Sequence, residues 1–221
     1  SVAEGMDGYS YRRERMVAAL RQLGIGDERV LAAMLDVPRH RFVPEAYRDR
    51  AYDVDLSIHI GSGQTASQPR VVARMTEAAR LGADDRVLEV GTGSGYQAAL
   101  LSRLVRFVFT VERIPSLARE AKARLDALGV ENVSVKVMDG TLGWRAQAPY
   151  DAILVTAASP AVPEPLVEQL ADGGRLVVPV GDRDSQALTL VELRGAHRTV
   201  RTLEEAKFVP LIGRHGWTED D

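Results

Sequence analysis

Apolar residues recur at helical spacing over Tyr11 to Leu23, where Met16, Val17, Leu20 and Leu23 share one face and Gly24 is a natural stop. Asp27 is placed to cap a second helix through Leu35. Both helices are short and precede Pro38, so they are expected to pack on the remainder of the chain as a cap. From Arg41 to Gln68 the periodicity fades, and Pro44, Gly61 and Gly63 punctuate a long, loop-like segment of the kind that often carries function. Gln68-Pro69 opens a third helix to about Leu81, with Val72, Met75 and Ala79 on one face. Strands then alternate with helices: Arg86 to Val90, Phe107 to Val111, Val133 to Val137, Ala152 to Thr156 and Leu176 to Val180, with helices near Tyr96, Leu117 and Pro165. This alternation predicts an α/β fold with a parallel, doubly wound sheet. Ala187 to Leu193 and Val200 to Val209, joined by a short turn at Gly195, predict an antiparallel C-terminal edge.

The stretch RVLEVGTGSGYQ, Arg86 to Gln97, joins a buried strand, an acid and a glycine turn. Glycine tolerates positive φ and lets backbone approach a ligand, while the following helix offers unpaired N–H groups. Gly91, Gly93 and Gly95 are spaced Gly-x-Gly-x-Gly, whereas the dinucleotide fingerprint places its third glycine three positions after the second. That favours S-adenosylmethionine (SAM) over NAD. Glu112 ends the next strand 21 residues beyond Gly91, close to the usual place of a ribose-binding acid, a feature that dehydrogenases share.

Length and composition fit one domain with a sizeable core over residues 1–221. Residues 1–68 are read as the helical cap and the loop packed on it, and 69–221 as the SAM-binding core with its C-terminal β extension. A formal charge of −3 gives no reason to expect nucleic acid as the main partner. The chain has no cysteine, which excludes disulfides and thiolate chemistry, and its four histidines show no ligand spacing, so no metal is expected. No apolar run approaches a membrane span, and Ser1 to Gly24 lacks the apolar core of a signal peptide, so a cytoplasmic protein without membrane partners is expected.

Ile60 to Pro69 reads IGSGQTASQP. Together with the glycine stretch, VERI at Val111 to Ile114, YDAILVTAA at Tyr150 to Ala158, GGRLVVPVG at Gly173 to Gly181 and FVPL at Phe208 to Leu211, it resembles the protein-L-isoaspartate O-methyltransferase family over most of the chain from Arg41 onward. The resemblance implies the Class I SAM-dependent methyltransferase fold, Rossmann-like with an antiparallel C-terminal edge. It also implies methylation of the free α-carboxylate of L-isoaspartyl residues in damaged proteins and peptides (EC 2.1.1.77). SAM would be converted to S-adenosylhomocysteine, and the ester would cyclise to succinimide as a repair step. A monomer is expected.

The resemblance assigns Ser67 as the active-site serine that binds and orients the substrate carboxylate, although two positions before Pro69 it also suits a helix N-cap. Gln64 and Thr65, with Val209, Pro210 and Leu211, are expected at the substrate; a plain terminal strand is the alternative for the last three. Glu89, Gly91, Thr92, Gly93, Ser94, Gly95, Glu112 and Arg113 are expected at SAM. So are Asp139 and Gly140, with Asp139 accepting from the adenine amine or else merely forming an Asp-Gly turn. His59 stands where the family is expected to carry proline, and Ala66 where a larger aliphatic residue is usual, so substrate fit and loop rigidity are open. Trp144 and Trp217 are assigned to packing. Competing readings are a tailoring methyltransferase acting on one dedicated peptide, a SAM-binding protein without turnover and, last, an NAD dehydrogenase.

Overall fold

Apolar runs near the middle of the chain become a seven-stranded sheet, because strands buried on both faces need helices on each side. The computed structural model describes residues 8–221, so the first seven residues of the cap and of the Ser1–Gly24 stretch lie outside the described residues. The core strands are β3 (Arg86–Val90), β4 (Phe107–Glu112), β5 (Val133–Val137), β6 (Tyr150–Val155), β7 (Leu170–Gly181), β8 (Gln186–Arg194) and β9 (His197–Ala206), in the order β5-β4-β3-β6-β7-β8-β9. Pairing is parallel from β5 to β7 and antiparallel for β7–β8 and β8–β9. This is the Class I methyltransferase architecture expected from the sequence. The crossovers carry α4 (Tyr96–Ser102), α5 (Pro115–Ala127) and the short α6 (Glu164–Val167).

The cap contains α1 (Gly8–Gln22) and α2 (Glu28–Asp36). Asp27 caps α2 by accepting from Arg29 N at 3.0 Å. Met16, Leu20, Leu31, Met34 and Phe42 are buried in one continuous cluster with Val87, Leu100 and Leu101 of the core. Arg29 adds polar ties across that boundary, donating to Leu81 O at 2.5 Å and Leu104 O at 2.8 Å.

Four boundaries differ from expectation. Arg41 to Gln68 is not one irregular loop: it begins within a 3₁₀ turn at Arg39–Phe42, contains another at Glu45–Arg50, and then forms a hairpin of β1 (Ile58–Gly61) and β2 (Gln64–Ala66). Ser62 at φ 53° and Gly63 at φ 71° supply the two positive dihedrals of a hairpin turn that matches strand twist. Strands this short carry little periodicity. The third helix, α3 (Pro69–Ala78), stops short of Leu81, and β7 begins at Leu170, well before Leu176. The last strand ends at Ala206, so Val209 and Leu211 leave the sheet edge and exchange backbone bonds with Ala158 at 2.8 Å each.

Candidate active site

After β3 the chain moves outward through β4 and β5, then returns to lay β6 on the other side of β3. Connections leaving the carboxyl ends of β3 and β6 therefore diverge and open a crevice, the general ligand position in such sheets. The glycine turn enters it from β3, with Gly91, Gly93 and Gly95 at φ +99°, +54° and +91°. Gly91 N and Thr92 N both donate to Val111 O, at 2.9 and 3.2 Å, which folds the turn over the end of β4. Thr156 enters from β6: its N donates to Val90 O at 3.0 Å and its hydroxyl lies 2.8 Å from Gly91 O. A Cβ at residue 91 would sit 2.5 Å from Thr156 Oγ1, so both dihedral and close approach require glycine.

Two acids flank the turn. Glu112 Oε1 accepts from Gly93 N at 2.9 Å and Oε2 from Ile114 N at 3.0 Å, and each oxygen keeps acceptor capacity. It borders a cleft of about 550 Å³ of space, partly open to solvent, with Gly91, Gly93 and Gly140 on the same boundary and Leu211 and Ile212 contributing apolar wall. Glu89, fully buried, borders an adjoining chamber beneath the turn. Thr110 donates to Glu89 Oε1 at 2.6 Å and must therefore accept from Thr92, whose hydroxyl is 2.6 Å away. Glu89 Oε2 is buried and meets no donor among the described residues. Burial pushes the Glu89 carboxyl up to about 8, opposed by the Thr110 bond and reinforced by the Glu112 charge.

These residues fit an adenosyl group with a cationic amino-acid tail. Glu112 supplies acceptor oxygens suited to vicinal hydroxyls, Val90, Val111, Leu211 and Ile212 give the cleft apolar wall, and the orphaned oxygen of Glu89 suits a positive group. The donor and acceptor set therefore agrees with SAM.

The substrate-side expectations converge at one junction. Thr65 and Thr156 border the Glu112 cleft, the Glu89 chamber and a third groove of about 1180 Å³ of partly open space. Ser67 borders the chamber and the groove. The N-cap alternative for Ser67 is overturned: the cap of α3 is Gln68, without a side-chain capping bond, and the Ser67 hydroxyl makes no hydrogen bond among the described residues. Gln64, Val209, Pro210 and Leu211 border the Glu112 cleft, and Val209 also borders the groove. His59 lies on the groove wall.

The remaining expected residues divide between the borders of these spaces and the packing around them. Thr92 and Ser94 border the chamber, and Arg113 borders the cleft while pairing with Glu219 at 3.0 Å. Gly95 borders none of these spaces; it brings α4 against Ala121 of α5, where a Cβ would meet Ala121 Cβ at 3.2 Å. Gly140 faces the cleft, whereas the Asp139 carboxylate is engaged by Thr141 N and Oγ1 at 2.9 and 2.7 Å and by Arg214 N at 2.9 Å. Asp139 thus ties the C-terminal segment to the end of β5. Trp144 is buried edge-to-face against Phe109, as packing requires.

Thr156, Arg39, Tyr96 and Ile212 border these spaces and were absent from the sequence-based set. Thr156 at the end of a predicted strand and Tyr96 just after the glycine turn carried a positional signal, whereas Arg39 and Ile212 are distant in the chain from the motifs they join.

The profile of the family described as protein-L-isoaspartate(D-aspartate) O-methyltransferase matches residues 11–216. A protein-L-isoaspartate O-methyltransferase from Roseiflexus sp. is 55% identical over 214 residues, covering 96% of this chain and 97% of that relative. A solved protein-L-isoaspartate O-methyltransferase aligns with TM-score 0.82 and 32% identity, over 92% of this chain and 67% of the other. A Plasmodium falciparum chain assigned to the same class, in complex with S-adenosyl-L-homocysteine, shares the fold at TM-score 0.79 and 24% identity, over 90% of this chain and 98% of its own. A profile match along nearly the whole chain and this level of identity agree with the crevice geometry, and the chain belongs to the protein-L-isoaspartate(D-aspartate) O-methyltransferase family.

Proposed function

We propose that this chain methylates the free α-carboxylate of L-isoaspartyl residues in damaged proteins and peptides, using SAM, as the first step of conversion through succinimide. The observation that carries the reading is the border that three spaces share at Thr65 and Thr156, with Ser67 lining two of them, which sets an open groove beside the Glu112 cleft and the Glu89 chamber. When bound, SAM supplies an electrophilic methyl group on a sulfonium. The substrate carboxylate is ionised at neutral pH, so the chain needs no general base. Ser67 directs its unpartnered hydroxyl at that carboxylate and orients it, Thr65 borders the same junction, and Val209 to Leu211 exclude water from it. Glu112 holds the ribose hydroxyls, while Gly91, Gly93 and Gly140 allow backbone to approach the adenosyl group. Glu89, Thr92, Ser94 and Arg113 complete the cofactor set.

The reading includes a monomeric protein of the cytoplasm. Among the described residues no helix is long and apolar enough to cross a membrane. The test is methyl transfer from labelled SAM to two synthetic peptides differing only in aspartate versus isoaspartate, with products read by mass spectrometry. Esterification of the isoaspartyl peptide alone, followed by succinimide, is expected. Transfer to neither peptide by protein that still binds cofactor would overturn the reading.

A further inference from the structure

A buried cation beside the glycine turn has no anionic partner among the described residues. Arg39 is only 1% exposed. Its Nε donates to Ala51 O at 2.8 Å, its Nη2 donates to Ser67 O at 2.9 Å, and its guanidinium lies 4.8 Å from the centre of the Tyr96 ring. These contacts orient the planar group without neutralising it. Among the described residues the charge is faced by Tyr96 and Tyr52 and by no carboxylate, and burial holds the group below its ordinary range. A buried charge is costly unless a counter-charge meets it.

The missing counter-charge is not Glu89, because the two groups form no ion pair. Both border the same chamber of about 390 Å³ of space, with Glu89 carrying an oxygen that meets no donor. A buried cation and an unsatisfied acid on one small chamber match a zwitterion. The remainder of that boundary is the glycine turn and the first turn of α4, including Thr92, Ser94 and Gln97. Arg39 does not border the large groove that Ser67 and Phe208 line, which separates it from the peptide side.

We propose that Arg39 is a cofactor-binding residue, the counter-ion for the α-carboxylate at the amino-acid end of SAM, with Glu89 Oε2 facing the ammonium. The proposal rests on SAM being the cofactor. Because Nη2 also holds the Ser67 carbonyl, the same guanidinium joins the cofactor's tail to the backbone of the substrate loop.

The test compares calorimetric binding of S-adenosylhomocysteine with that of its decarboxylated analogue, in the absence of peptide, for the full chain and for Arg39→Gln and Arg39→Lys. The unsubstituted protein is expected to favour S-adenosylhomocysteine by about tenfold or more, the scale of a charge-assisted hydrogen bond. In Arg39→Gln the two ligands should converge to within about threefold through selective loss of the carboxylate-bearing one, and Arg39→Lys should restore part of the preference. A preference near one in the unsubstituted protein overturns the proposal even if the glutamine variant does not fold. Equal weakening of both ligands in Arg39→Gln, the mark of a purely architectural role, also overturns it. So does an unchanged ratio with a raised KM for isoaspartyl peptide, which would assign Arg39 to the substrate carboxylate. If neither ligand binds the unsubstituted protein, the cofactor reading falls and the proposal with it, whereas failure of the peptide-methylation test leaves this comparison intact.

Discussion

Ser67 and Glu89 hold polar atoms that the fold itself leaves unpartnered, and each yields a prediction at the scale of one residue. Removing the Ser67 hydroxyl breaks no hydrogen bond among the described residues, so Ser67→Ala should leave the melting temperature and SAM affinity nearly unchanged. Its kcat/KM for isoaspartyl peptide should fall by about tenfold or more, the scale of a lost orienting hydrogen bond to a charged group. Equal loss of SAM affinity by calorimetry would remove the substrate assignment. Glu89 makes a prediction about pH. Its carboxyl is raised from 4.5 to about 8 in the fold, chiefly by burial, so the folded state binds the proton more tightly than the unfolded chain. The associated stability is fully present below 4.5 and is lost as pH rises toward 8. Glu89→Gln, which cannot ionise, should therefore gain on the unsubstituted protein between pH 5 and 8, by on the order of a few kcal/mol. Cofactor-free melts of both proteins across that window check it, and a constant difference would refute it.

Elements place these residues, and the C-terminal segment shows how. Residues after β9 turn back over the cleft, where Ala158 backbone holds Val209 and Leu211, and Asp139 and Thr141 hold Arg214 and His215. Asp139 is thus one of several ties that hold the apolar wall of this segment in place. Asp139→Ala should lower stability by about 1 kcal/mol, the scale of a hydrogen-bond cluster that is partly open to water, and should speed amide exchange in 209–217 along with weakening SAM. Weaker SAM binding without faster exchange in that segment would return Asp139 to a direct adenine contact. The family resemblance marked Asp139-Gly140 as a cofactor loop, in keeping with its place after a strand, but the division of labour, glycine at the cleft and aspartate on the tail, depends on where residues 213–215 travel. The hairpin β1–β2 was similarly hidden. Its Gly-Ser-Gly turn is visible in the sequence, whereas strands of four and three residues are too short to show alternation.

At the scale of the whole molecule, cap and sheet share one apolar cluster, with Met16, Leu31 and Phe42 buried alongside Val87 and Leu100. The one-domain reading predicts a single calorimetric transition whose van't Hoff and calorimetric enthalpies agree; a separate early transition from residues 8–68 would divide the chain into two units. Strand alternation, the glycine turn and the acids at 89 and 112 were legible in the sequence because each is a local pattern: apolar runs encode buried strands, glycines encode positive dihedrals, and an acid at a strand end reaches the crevice whichever neighbours pack beside it. The family resemblance extended that reading to Ser67 and its loop. What only the tertiary structure decided is long-range pairing. It set Thr156 against Gly91 across the switch between β3 and β6, buried Arg39 without a counter-ion beside Ser67, and gave Asp139 to the C-terminal segment. Burial and charge compensation are properties of neighbours distant in the chain, so no local pattern of residues states them.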